Sequence, residues 1–134
     1  MDTVANMLTA IRNAQAVGKP MVAVPYSRLK YDIAKILERK GFVASAEKRS
    51  RKIKKTAKTA LCLEIGLKYA DNVPAIAGCK KVSKPGQRIY VAAGGIKRVK
   101  QGRGIGVVST SKGLMTEYDA KKQNIGGEML CEVW

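Results

Sequence analysis

The segment STSKG at 109–113 carries the side chains of this sequence that are best suited to chemistry. Ser109 and Lys112 have the Ser-x-x-Lys spacing of an acylating serine and its lysine base, but the companion SDN and KTG motifs of those enzymes are absent. The 134 residues also include no His, which excludes Ser-His and Cys-His nucleophilic systems. We therefore expect no catalytic residue and no cofactor. An enzyme that uses Ser111 and Lys112 is kept as an alternative, which an acylating probe would reveal.

The composition of the same segment also suits contact with a nucleic acid. Ser109, Thr110 and Ser111 bring three adjacent hydroxyls, Lys112 brings a cation, and Gly113 adds no bulk. Hydroxyls both donate and accept hydrogen bonds, which matches base edges and the ribose 2′-OH, while a cation matches a phosphate. The spacing by itself favours the plainer alternative, which is an ordinary turn between a strand and a helix.

Two neighbouring patterns also have a plainer interpretation beside the functional one. Tyr90, close to Arg88, offers a ring or a hydroxyl to a nucleotide, although a tyrosine in a strand is more often half-buried in its sheet. The glycines Gly102, Gly104 and Gly106 suggest a nucleotide-binding loop, but such a loop follows a strand and opens a helix. Here the glycines precede a predicted strand, so we interpret them as a tight turn or a bulge.

Charge is the strongest signal in the composition. Lys and Arg number 26 against 10 Asp and Glu, which gives a formal net charge of +16. The stretch 72–116 contains nine cations and no acid, and a second acid-free run at 48–58 contains seven cations. Each run alone is as typical of a solvated face as of a binding surface, and nucleic acid, anionic membrane and acidic protein all fit the charge. Two such runs together favour a polyanion.

A membrane, a disulfide framework and a metal site are all disfavoured. No apolar run approaches the roughly 18 residues of a membrane span, and neither predicted helix is a basic amphipathic helix with large apolar residues. The three cysteines, Cys62, Cys79 and Cys131, have neither disulfide-framework nor metal-site spacing, so we predict buried free thiols. The first residues have neither the basic start of a signal peptide nor an Arg-rich transit segment, which favours a cytoplasmic protein.

The apolar pattern of the first half predicts a small sheet with helices on one side. Val4, Met7, Leu8 and Ile11 recur at helical spacing, and Ser27 is a suitable N-cap for a second helix. We interpret the basic run 48–58 as the connection of a hairpin. The predicted elements are a helix that stops at Gly18, a strand at 21–26, a helix from Ser27 to Gly41, and strands at 42–49 and 59–67.

The second half is predicted to be mostly β, after a break in periodicity at 69–75. A strand within 75–82 is expected to pair with a strand at 88–91 through a turn at Pro85-Gly86. A strand at 104–110, a loop at 111–113, a short helix capped by Thr116 and a last strand from Glu128 follow. The sequence therefore predicts an α+β protein with two small domains, an N-terminal α-β-α-β-β domain at 1–70 and a mainly β domain at 71–134.

Several longer segments resemble one known family. KVSKPGQRIY at 81–90, GIGVVSTSKGLMT at 104–116 and IGGEMLCEVW at 125–134 closely resemble the C-terminal signature of the small ribosomal subunit protein eight family. MLTAIRNAQ at 7–15 and VPYSRLKYDIAKILERKGFV at 24–43 resemble its first half. The basic hairpin region 44–58 does not match residue by residue, so no function is transferred to it.

The resemblance implies a primary rRNA-binding protein that binds the central domain of small-subunit rRNA and helps to assemble the platform. It implies neighbouring small-subunit proteins five and twelve, and a ribosome that is cytoplasmic, with an organellar one left open. The alternative is a translational repressor that binds its own operon mRNA through the same surface. The family's RNA-binding loop corresponds to Ser109, Thr110, Ser111, Lys112 and Gly113, and its Tyr and Glu at the RNA surface correspond to Tyr90 and Glu128. Arg88 and Lys84 are candidate phosphate contacts. Candidates for contacts of the N-terminal domain with the RNA backbone are Ser27, Arg28 and Lys30.

Overall fold

The structure, a computed structural model, describes residues 3–52 and 59–134. Its backbone divides into two compact units. One unit is Thr9–Ala75, and the other is Ile76–Trp134 together with the start of the first helix as far as Leu8. No helix among the described residues is long and apolar enough to cross a membrane.

The first unit is built on a three-stranded antiparallel sheet, with the long central strand between two neighbours. The order of elements confirms the predicted helix-strand-helix-strand-strand pattern, and the strand order in the sheet is β1-β3-β2. Ser27 caps the second helix as predicted, because its Oγ accepts the Lys30 N–H at 3.2 Å. The elements are the part of α1 (Thr3–Ala16) that follows Leu8, β1 (Met21–Pro25), α2 (Arg28–Arg39), β2 (Val43–Lys52) and β3 (Thr59–Leu67).

The core of this unit comes from the apolar stripe of α2 and the inner face of the sheet. Ile33 and Leu37 of α2 are fully buried, as are Leu63 and Ile65 of β3 and Ala46 of β2. The stripe recurs every three to four residues along the helix, whereas the strand positions alternate. The two periods read from the sequence therefore meet in one layer of side chains.

The basic run differs from its prediction as a simple connection. β2 continues through Lys52 and pairs residue for residue with β3, so 48–52 belongs to a strand. A strand accommodates charge here because alternate positions face away from the core. Arg49 is on that outer face, where its guanidinium pairs with Glu47 and lies 3.7 Å from Glu64 Oε2. The rest of the run, 53–58, lies outside the described residues.

The second unit contains a sheet in which the last strand is central. After the hairpin of β4 (Tyr69–Ala70) and β5 (Val73–Pro74), which ends the first unit, the strand order is β6-β10-β8-β9, and β7 also pairs with β10. Its core includes Ile96, Val108, Met115, Ala120 and Met129. The elements are β6 (Cys79–Lys81), β7 (Tyr90–Val91), β8 (Ile105–Thr110), β9 (Gly113–Thr116), α3 (Glu117–Lys122) and β10 (Gly127–Val133). A 3-10 turn lies at Ala93–Gly95, and the turn at Val99–Gly102 contains two residues with left-handed backbone, Lys100 and Gln101.

The predicted pairing of the strand near 79–81 with the strand at 88–91 is wrong. Both strands pair with β10, β6 through 131–133 and β7 through 127–128. The turn between them closes only on itself, through two 2.9 Å backbone hydrogen bonds between Lys84 and Gln87. Because β8 occupies the opposite edge of β10, the two short strands share the remaining edge.

One strand was not predicted. The sequence predicts a loop at 111–113 before a short helix capped by Thr116, with no strand between them, but Gly113–Thr116 forms β9, in a hairpin with β8. Four residues are too few for a clear alternating pattern, and Gly113, at φ +103°, allows the chain to reverse within Ser111-Lys112. Thr116 caps α3 as predicted, because its Oγ1 accepts the Asp119 N–H at 3.2 Å.

The cysteines follow their prediction only in part. None of the three described cysteines forms a disulfide. Cys131 is fully buried in β10, as expected, but Cys62 and Cys79 are half-buried rather than buried. Cys62 belongs to the outward-facing positions of β3, where it pairs across the sheet with Pro25 and Arg49. Strand alternation therefore determines its exposure.

Candidate nucleic-acid interface

Three of the predicted site residues form a row across three strands of the second sheet. Glu128 of β10 pairs directly with Tyr90 of β7 on one side and with Ser109 of β8 on the other. Directly paired residues of antiparallel strands point to the same face, with Cβ atoms about 4.5–5.5 Å apart. Their chain neighbours Met129 and Val108 face the core. The row therefore lies on the outer face, where Tyr90 is 71% exposed.

The turn that connects β8 to β9 extends this row with two exposed residues, Ser111 and Lys112. Thr110 Oγ1 donates to the Gly113 carbonyl at 2.8 Å and accepts the Lys112 N–H at 3.1 Å. The Thr110 hydroxyl is thus occupied in shaping the turn. The Ser109 and Ser111 hydroxyls have no hydrogen-bond partner within residues 3–52 and 59–134. Of the three predicted hydroxyls, these two are the ones available to a ligand.

The Glu128 carboxylate is held on one side only. Its Oε2 accepts from the Ser83 hydroxyl at 2.5 Å and from Arg88 Nη1 at 3.3 Å. Ser83 is fully buried and its Oγ also accepts the Ile89 N–H at 3.2 Å. In the part of the chain that the structure describes, Oε1 has no hydrogen-bond partner. One carboxylate oxygen therefore belongs to the protein's own network, and the other is left for a donor.

Two glycines bring the three strands close enough to form the row. A Cβ on Gly127 would lie 2.2 Å from the Ser109 carbonyl oxygen, and a Cβ on Gly126 would lie 2.4 Å from the Val91 carbonyl oxygen. No side chain fits at either position without moving backbone. These glycines therefore place Glu128 beside its two neighbours.

The exposed cations near the row are distributed around its edge. Lys84 is in the tight turn that ends at Gln87, Arg88 follows that turn, and Lys112 is in the turn after β8. The side chain of Arg88 is 52% exposed although it pairs with Glu128, whose side chain is 19% exposed. Neither Lys84 nor Lys112 forms a salt bridge with a carboxylate of the described residues. Their charges are therefore available to an anion.

The three predicted contacts of the N-terminal half lie in the other unit and differ in availability. The Ser27 hydroxyl caps α2, as described above. Arg28 is exposed and its Nε lies 3.2 Å from Asp32 Oδ1. Lys30 is only 5% exposed, and burial lowers the pKa of its ammonium. Of these three, only Arg28 has both the charge and the exposure that a phosphate contact requires.

The glycines Gly102, Gly104 and Gly106 have structural roles, as predicted. Gly102 adopts φ +90°, in the left-handed region. A Cβ on Gly104 would lie 2.6 Å from the Val133 carbonyl oxygen, and one on Gly106 would lie 3.0 Å from Met129 Sδ. They let the chain enter β8 against the last strand. In the described ranges no group of three or more Cys, Asp and Glu residues could hold a metal.

The fold and this surface define a small, strongly basic α+β protein that presents hydroxyls, cations and one held carboxylate on the same sheet. The family model for Ribosomal protein S8 matches residues 2–134. Proteins named small ribosomal subunit protein uS8 are similar over nearly their whole length: that of Persephonella marina is 44% identical (99% of this chain, 98% of that protein), and that of Natranaerobius thermophilus is 46% identical (99% and 97%). The chain belongs to the ribosomal protein S8 family, which is structural and non-enzymatic and in which rRNA binding is general.

Proposed function

We propose that this protein is a structural constituent of the small ribosomal subunit that binds the central domain of small-subunit rRNA and helps to assemble the platform. The observation that supports this most is the row of Tyr90, Glu128 and Ser109 beside the Ser111-Lys112 turn. It combines acceptors and donors for RNA groups with a cation for the phosphates.

The row supports a division of roles among the contacts. Lys84, Arg88 and Lys112 meet phosphates, which fixes the position of the protein on the RNA without reading sequence. The hydroxyls of Ser109 and Ser111 can donate and accept, which suits base edges and the ribose 2′-OH of an irregular RNA segment. The carboxylate supplies the only pure acceptor of the set. A surface made for general attraction to a polyanion has no use for that group.

The remaining parts of the proposal follow from the family. The C-terminal domain, 71–134, carries the rRNA site, and the N-terminal domain, 1–70, adds backbone contacts through Arg28, with Ser27 and Lys30 in supporting positions. The proposal also includes small-subunit proteins five and twelve as neighbours and a location in the cytoplasmic ribosome. A messenger element shaped like the rRNA site would bind the same surface, so translational repression is an outcome that the following experiment detects.

Crosslinking of the intact protein to total cellular RNA, followed by sequencing of the adducts, tests this proposal. We expect adducts concentrated in the central domain of small-subunit rRNA. Lys112→Ala should deplete them, whereas Lys121→Ala removes an exposed cation at the end of α3 and should leave their pattern unchanged. Adducts spread over both subunits' rRNA in proportion to RNA length would refute the proposal. A discrete site on a messenger would instead support the repressor.

A further inference from the structure

Ser83 is a fully buried polar residue whose hydroxyl has two well-defined partners. Its Oγ accepts the Ile89 N–H at 3.2 Å and lies 2.5 Å from Glu128 Oε2. A hydroxyl has a single proton to donate, a peptide N–H only donates, and an ionised carboxylate only accepts. The Ile89 N–H is a donor, so the Ser83 proton must point to Glu128. No local sequence pattern predicts this contact, because the two residues are 45 positions apart.

We infer that Ser83 is a positioning residue for RNA recognition: its hydroxyl, with Arg88, holds Glu128 Oε2 so that Oε1 faces the RNA. The inference rests on the proposed function and deepens it. Without the hydroxyl, the carboxylate would keep only the 3.3 Å contact to a half-exposed arginine. An exposed ion pair of that kind restrains a side chain weakly.

The arrangement also indicates which RNA groups this position accepts. Oε2 already receives two hydrogen bonds from the protein, whereas Oε1 receives none from the described residues. An ionised carboxylate only accepts, so Oε1 selects a donor such as an exocyclic amino group of a base or a ribose 2′-OH. It repels a phosphate in the same place. Ser83 thus contributes to specificity through Glu128 and adds no contact of its own.

The hydroxyl of Ser83 is not the only group that holds the segment after β6 in place. The Ser83 N–H donates to the Leu130 carbonyl at 3.3 Å, and the neighbouring Val82 N–H donates to the same carbonyl at 3.0 Å. These backbone bonds remain when the side chain is shortened. Ser83→Ala removes one oxygen atom and with it the acceptor of the Ile89 N–H, so the variant also lowers stability, and a control is needed to separate that loss from the positioning role.

A double-mutant cycle with the full chain tests the inference. Ser83→Ala, Glu128→Gln and the double variant are titrated at one fixed salt concentration, with a central-domain rRNA fragment and with an unrelated duplex of equal length. We expect Ser83→Ala to weaken binding to the fragment about tenfold and binding to the duplex less than about twofold. In the Glu128→Gln background the effect on the fragment should fall below about twofold, because the group that Ser83 positions is gone.

Thr116→Ala is the matched control. This variant also removes a buried hydroxyl, the one that caps α3, and should lower stability. The Thr116 hydroxyl accepts the Asp119 N–H and has no role in holding Glu128. We expect it to leave the ratio of fragment to duplex affinity unchanged. If Ser83→Ala does not fold, Ser83→Cys keeps the size and weakens the donor, and it should show the same coupling to Glu128→Gln at a smaller amplitude.

The outcomes separate the inference from the function on which it rests. If the unmodified protein does not prefer the fragment over the duplex, the proposed function fails and the inference fails with it. If the preference exists but Ser83→Ala lowers both affinities equally, or acts with undiminished size in the Glu128→Gln background, only the positioning role is overturned. Ser83 would then be a structural residue alone.

Discussion

Replacement of Glu128 by Gln has two opposite effects on RNA binding: it removes an acceptor for a donor on the RNA, and it removes a negative charge that repels phosphates. The amide has one acceptor oxygen instead of two, and it carries no charge. Ser83 and Arg88 both donate toward the inner position of the carboxylate, so the amide oxygen should turn inward to accept from them. The NH₂ group then points outward, where the carboxylate offered an acceptor. A donor on the RNA would meet another donor.

The two contributions differ in size. Loss of a hydrogen bond to a charged acceptor costs about 1.5–3 kcal/mol. Removal of a negative charge that faces phosphates across a wet interface gains about 1 kcal/mol. The proposed site keeps the ion pair with Arg88 when RNA binds, so its loss largely cancels in the binding free energy. The difference is a net loss of about 0.5–2 kcal/mol, which weakens specific binding about 2-fold to 30-fold.

The assay is a titration of both proteins with a central-domain rRNA fragment at one fixed salt concentration, together with a thermal melt. We expect weaker binding of the fragment by Glu128→Gln and equal or tighter binding of an unrelated RNA, since only the relief of repulsion acts there. Unchanged or tighter binding of the fragment, with an unaltered melting temperature, would remove Glu128 from the RNA site. Glu128 would then be only a residue at the start of β10.

Four further predictions follow from the same surface and its supports. Lys84→Ala should weaken specific and unrelated RNA about equally, whereas Ser111→Ala should cost about 1–3 kcal/mol on the specific RNA alone; equal losses for Ser111→Ala on both RNAs would make the turn a general contact. With about five phosphate contacts, the logarithm of the specific affinity should fall with the logarithm of salt at a slope near −4 to −5, and a flat response would contradict the electrostatic argument. Gly127→Ala should lower the free energy of unfolding by about 1–3 kcal/mol in denaturant titrations, because its Cβ would meet the Ser109 carbonyl oxygen; unchanged stability would show that β8 and β10 separate easily. Burial lowers the pKa of Lys30 below its ordinary 10.5, so the folded state binds this proton less tightly than the unfolded chain does. Lys30→Met should therefore raise the melting temperature at pH 7 and lose that advantage as the pH approaches 10.5. RNA affinity should stay unchanged, and a loss of affinity would place Lys30 on the RNA surface.

Local chemistry explains the parts of the fold that could be predicted. Ser27 and Thr116 act on N–H groups three residues away, so a short stretch of sequence contains both partners of each cap. The stripe of Ile33 and Leu37 in α2 likewise repeats within one helix. Such patterns survive in the folded chain because the tertiary contacts reinforce them.

The errors arise where the deciding partner is far away in sequence. A turn at Pro85-Gly86 predicts a hairpin, but the segments on either side of it both pair with β10, at the far end of the chain. The predicted RNA contact of Lys30 stays a prediction: its charge favours such a contact, whereas its place on the core-facing side of α2, where its stem is buried, does not. A cation in an apolar stripe has two opposite interpretations, and only the packing of the helix decides between them.

On the proposed function, the one carboxylate in the row explains how a chain of formal charge +16 discriminates among RNAs. The cations attract every polyanion, so they raise the affinity for the right and the wrong RNA together. A phosphate that reaches the row meets the unshared oxygen of Glu128 and is repelled, while a donor in the same place is bound. Discrimination depends on the difference between these two cases and grows when the unfavourable one is made worse. A group that lowers general affinity is therefore the group through which this surface recognises a particular RNA.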